Sequence, residues 1–150
     1  MPTKNTSAGT PRRSTEELLR IETHSRSLSG TLKALSGDFQ PRSFVENLDV
    51  FMVRKDLNPA QLGKEALLSR SFVYQLCSGE RTPGRDIILR LALVLGLSVD
   101  EAQALLRSAQ RGALYPRVRR DAVLIFALSR HMSLYDTDEQ LISAGETPLL

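Results

Sequence analysis

The 150-residue chain is 41% apolar but only 5% aromatic, with no Trp, so its core must be built from Leu, Val, Ile and Ala, which favours packed helices and an all-α fold. Its single cysteine excludes an intramolecular disulfide; its longest weakly charged apolar run, Ile87 to Val99, contains Arg90 and is too short to span a bilayer, and no secretory pattern opens the chain. A net charge of +3 and a pI of about 9.3 are mild, and no segment is a basic tail, so the sequence predicts a cytoplasmic protein without a membrane partner, in which the position of charge matters more than its total.

Residues 1–14 are polar and rich in Thr, Pro and Ser, with too little apolar surface to offset ordering entropy, so they are expected to form a disordered arm. Ser14 and Glu17 have capping-box spacing ahead of Leu18, Leu19 and Ile21, which predicts a short helix from Thr15 to Thr23. A Ser/Thr/Gly-rich linker with a weak apolar patch (Leu28, Leu32, Leu35) completes an arm of residues 1–42.

From Ser43 the periodicity tightens. Phe44, Val45, Leu48, Phe51 and Met52 share one face of a first helix, about 43–56. Asn58 before Pro59 caps a second, about 59–66, with Leu62 and Ala66 inward. Ser69 caps a third, which buries Phe72, Val73 and Leu76 and ends at Gly79. A fourth runs from Arg85 to Gly96, and Ser98 with Glu101 caps a fifth that ends near Ala109. Residues 43–114 are therefore read as one five-helix domain.

Residues 85–114 and 120–149 agree at ten positions at a fixed offset of 35, including the starts Arg85-Asp86 and Arg120-Asp121 and the caps Ser98 and Ser133. The helical hairpin is used twice, and residues 115–150 are expected to stack after the first copy as in a short solenoid. His131 stands where Gly96 does and is read as a helix C-cap. Leu124, Phe126, Leu128, Leu141 and Ile142 cannot all be hidden by a lone hairpin, so they are expected to lie partly on the fifth helix and partly in a homodimer or partner interface.

The stretch PAQLGKEALLSRSFVYQLCS (59–78) resembles the helix-turn-helix of lambda repressor/Cro-like (Xre-family) DNA-binding proteins. Gly63 stands where the second and third helices of that family cross, and Leu62, Ala66, Leu68, Val73 and Leu76 stand where it buries its core. SGERTPGRD is similar to the family's loop into helix four, and GLSVDEAQALL to its start of helix five, so the likeness covers about residues 43–110. Leu67 occupies the family's turn Gly, where a left-handed backbone would cost about 1 kcal/mol. Pro59 replaces a Gln that in many members touches phosphate.

The resemblance implies a bacterial or phage-type, nucleoid-associated regulator that binds double-stranded DNA, as a homodimer on a pseudo-palindrome. On the third helix Arg70 is long enough to bond guanine O6 and N7, Gln75 can pair with adenine, Ser71 can bond base or phosphate, and Tyr74 shares their face. Ser69, Ser78, Arg81 and Arg85 are candidate phosphate contacts. The five arginines from Arg107 to Arg120, with no acid between Ala102 and Arg120, form a footprint only if the fold gathers them on one side.

Cys77 has no second cysteine and only the distant His24 and His131, so neither a metal set nor a nucleophilic dyad has partners, and a small buried hydrophobe is its expected role. No phosphate-cradling Gly motif, HExxH or acid pair supports an enzyme, and no cofactor is expected. The rival reading is a helical protein-interaction adaptor, its arm phosphorylated by a kinase at sites such as Thr3, Thr6, Ser7, Thr10, Ser14 and Thr15.

Overall fold

Seven helices follow one another in the computed structural model, which describes residues 42–150: α1 (Phe44–Lys55), α2 (Pro59–Ala66), α3 (Arg70–Ser78), α4 (Arg85–Val94), α5 (Val99–Ser108), α6 (Arg119–Ser129) and α7 (Leu134–Ser143). No strand occurs among the described residues. The N-terminal arm, its expected helix at 15–23, the Leu28, Leu32, Leu35 patch and the candidate phosphorylation sites lie outside them. No described helix is long and apolar enough to cross a membrane.

Five of the seven helices start where a polar side chain satisfies an otherwise unpaired N–H group; α4 and α6, entered from Gly84 and Val118, have no side-chain cap. Ser43, Asn58, Ser69, Ser98 and Ser133 each accept from the backbone N–H three residues on, and at Asn58 and Ser98 the side chains of Gln61 and Glu101 close the reciprocal box. Each such cap stabilises by about 1 kcal/mol. Helix ends use the left-handed conformation at Asp56, Leu67 and Gly79. His131, at φ 51, bonds Leu128 O through its backbone N–H, so it terminates α6 as expected.

The α1, α2 and α3 helices pack with α4 and α5 around Leu48, Leu62, Ala66, Val73, Leu76, Ile88 and Leu91, all with no exposed surface. Burial of each large aliphatic side chain contributes about 1.5–3 kcal/mol. The α6–α7 hairpin extends this core instead of forming a separate one, with Leu124, Leu128 and Leu141 at most 1% exposed. These three cannot meet a partner subunit as expected; Phe126 and Ile142 are exposed.

The hairpin repeat extends to the tails and the turns. Arg85 Nε bonds Gly112 O and Arg120 Nε bonds Thr147 O, both at 2.9 Å. Gln103 holds both backbone groups of Leu114, and Asp138 accepts from the N–H groups of Leu149 and Leu150. Positive φ recurs at Gly96 and His131 and at Gln110 and Gly145, again 35 residues apart.

The copies do not stack head to tail. Arg85 forks onto Asp121 (2.9 and 2.8 Å) while Arg120 forks onto Asp86 (2.8 and 3.1 Å). In parallel, α4 touches α7 as α6 touches α5. A solenoid step would use only one of the two crossed pairs; closure of both requires an approximate two-fold axis between α4 and α6. The solenoid expectation is corrected accordingly.

Candidate nucleic-acid interface

The geometry of α2 and α3 rests on a missing side chain. A Cβ on Gly63 would lie 3.0 Å from Leu68 O and 3.2 Å from Val73 Cγ2, so even a methyl there would force the turn or Val73 to give by a few tenths of an ångström. Between them Leu67 takes φ 57 and ψ 42, and Leu68 N–H returns to Gly63 O at 2.8 Å. Arg90 reaches across from α4, its Nη2 donating to Ala66 O at 2.7 Å and Leu67 O at 2.8 Å. A guanidinium thus closes the carbonyl end of α2, where a positive charge also complements the helix dipole.

With the turn held, Ser69 caps α3 and its side-chain oxygen accepts from Phe72 N–H at 3.1 Å. Val73 and Leu76 face the core, whereas Arg70, Ser71, Tyr74 and Ser78 are exposed and Gln75 is half-buried. The guanidinium of Arg70 lies 5.6 Å from the Tyr74 ring centroid, which steers a long, exposed side chain along the outer face. Arg81 lies over the Phe72 ring at 5.7 Å, beside the same helix. The Ser78 hydroxyl donates back to Gln75 O at 3.2 Å, so its proton is engaged within α3.

Residues 51–101 match the protein family described as Helix-turn-helix. This segment is a helix-turn-helix domain of the lambda repressor-like (Xre) kind. No curated protein and no solved structure matches the chain significantly. The helix-turn-helix match begins within α1 and ends in the first turn of α5, so the repeated hairpin lies beyond it.

Arg85 does not stand ready for phosphate. Its guanidinium is engaged by Asp121 and by the carbonyls of Gly112 and Ala113, which ties α4 to the C-terminal hairpin. The arginine run is likewise divided: Arg111 bonds Pro83 O at 2.9 Å and Arg120 holds Asp86, while Arg107, Arg117 and Arg119 are exposed. Arg111 steadies the loop that follows α3. Its role and that of Arg90 were not visible from spacing alone; the signal for Arg90 was a lone cation inside the apolar run from Ile87 to Val99.

Cys77 is half-buried, not fully buried, with Sγ 3.8 Å from Met52 Sδ. Burial, followed by the charge of Asp49, pushes its thiol above the ordinary range and so away from the reactive thiolate. Behind the helix-turn-helix, Arg54 pairs with Glu101, joining α1 to α5. The Arg54 guanidinium holds the Glu101 carboxyl down to about 2.

Proposed function

We propose that the protein is a cytoplasmic transcriptional regulator that reads a short duplex site by laying α3 in the major groove. The observation that carries this reading is the outward polar face of α3, set on a turn that Gly63 and Arg90 hold at both ends. A helix about 10 Å across fits the major groove, and its N-terminal side chains reach base edges while a second helix crosses behind. Arg70 is the guanine reader, with Gln75 pairing adenine and Ser71 and Tyr74 completing the face. Ser69 and Arg81 flank it as phosphate contacts that set register without reading sequence, whereas Ser78, expected to join them, spends its hydroxyl proton on Gln75 O.

One chain carries one α3 and hence addresses one half-site. Any pairing of copies in the folded state described here must use a surface other than Leu124, Leu128 and Leu141, which the chain buries itself. The test is selection from duplexes with a randomised central segment, at a stated salt concentration because phosphate contacts make affinity salt-dependent. One short motif should be enriched over successive rounds. Binding without enrichment would reduce the protein to a non-specific DNA binder, and no binding would remove the reading altogether.

A further inference from the structure

The buried face of α6 consists of Asp121, Leu124, Ala127 and Leu128, and each is identical to its equivalent on α4: Asp86, Leu89, Ala92 and Leu93. Elsewhere on the two hairpins the copies diverge. Arg90, which holds the turn, becomes Ile125; buried Leu91 becomes exposed Phe126, covered by Arg130 at 3.9 Å from the ring centroid; buried Leu95 and Leu105 become exposed Arg130 and Gln140. The two copies therefore agree along the buried face of α4 and α6 that carries the crossed Arg–Asp pairs, and of the four buried residues of α7 only Leu141 matches its equivalent, Leu106. A contact related by a two-fold axis and lined by the same residues on both sides is self-complementary. Whatever α6 offers to α4, the α4 of a second molecule offers as well.

We infer that the α6–α7 hairpin stands in for a second copy of this chain: the α4–α5 face is a self-association surface, closed in cis by its own repeat. The hairpin is tethered by residues 109–118, and a short tether gives it an effective concentration in the millimolar range or above. That exceeds the concentration of any second molecule, so the closed chain does not pair through this face. Opened, the face takes another copy, with Arg85 of each molecule meeting Asp86 of the other.

The crossed Arg–Asp pairs supply the test in the full-length chain. Reversal of the second pair alone (Arg120→Asp with Asp121→Arg) sets like charges against Arg85 and Asp86 in cis but leaves two α4–α5 faces complementary in trans. Analytical ultracentrifugation at tens of micromolar should then give 16.7 kDa for the wild type and twice that mass for the reversed chain. Adding Arg85→Ala should return the reversed chain to monomer. Reversing both pairs (Arg85→Asp and Asp86→Arg as well) restores opposite charges in cis and should also give a folded monomer. A reversed chain that stays monomeric or unfolded up to hundreds of micromolar overturns the inference, because a latent interface must assemble the chain by mass action. So does a fourfold variant that dimerises as the reversed chain does, since opposite charges restored in cis would then not govern closure.

Discussion

Leu67 sits in a left-handed backbone with its side chain about half exposed, so it carries the steric cost of that conformation with little packing in return. Leu67→Gly removes the clash of Cβ with the carbonyl oxygen and adds unfolded-state entropy, two effects of opposite sign and similar size. The first is the larger, and the variant should be more stable by up to about 1 kcal/mol, read as a higher urea midpoint at an unchanged slope. A lower midpoint would mean that Leu67 packs usefully where it appears exposed. The need for a special backbone at this residue was legible in the sequence, because Leu stands in a position that similar domains give to Gly. The partner of Arg85 was not: its carboxylate lies 36 residues away, whereas Asp86 is adjacent and misleads.

At the scale of elements, the α2–turn–α3 unit depends on α4 through one side chain. Arg90→Met keeps most of the apolar stem but leaves the Ala66 and Leu67 carbonyls without their charged donor. These groups are only partly buried, so the loss should be about 1–2 kcal/mol of unfolding free energy, with weaker DNA binding as the angle of α3 loosens. Unchanged stability and affinity would show that Gly63 and the Ser69 cap suffice to hold the turn. The helices themselves were readable, since Ser43, Asn58, Ser69 and Ser98 mark their starts and the apolar period marks their inner faces. The repeat was readable as well, but its symmetry was not. Stacked and two-fold arrangements leave the same offset of 35 in a sequence, and only the crossing of Arg85 and Arg120 to each other's hairpins distinguishes them.

In the molecule as a whole, three carboxylates join distant parts of the chain: Glu101 links α5 to α1 through Arg54, while Asp121 and Asp86 link α6 and α4 through Arg85 and Arg120, and two of them, Glu101 and Asp121, titrate abnormally low. Burial raises the affinity of Asp121 for a proton, but the Arg85 guanidinium and the Tyr115 N–H outweigh it, so this carboxyl lies below its usual range, as Glu101 does at about 2. Both groups bind protons more weakly folded than unfolded, so their stabilisation is complete above the ordinary carboxylate range, about pH 4–4.5, and is lost as pH falls through the folded values. The thermal midpoint should be level from about pH 7 to 5 and fall below pH 4, and Asp121→Asn should lower the plateau and shallow the fall. An equally steep fall in Asp121→Asn would assign the acid sensitivity elsewhere.

Whether this scaffold reads sequence is decided at Arg70. Fluorescence anisotropy at one fixed salt concentration can compare wild type and Arg70→Ala on a selected duplex and on its scrambled counterpart. The variant should lose about 1–3 kcal/mol on the selected duplex and much less on the scrambled one, as expected for a bidentate contact to a base edge. Equal losses on both would make Arg70 a phosphate contact and contradict the assignment of the outer face of α3 to base recognition.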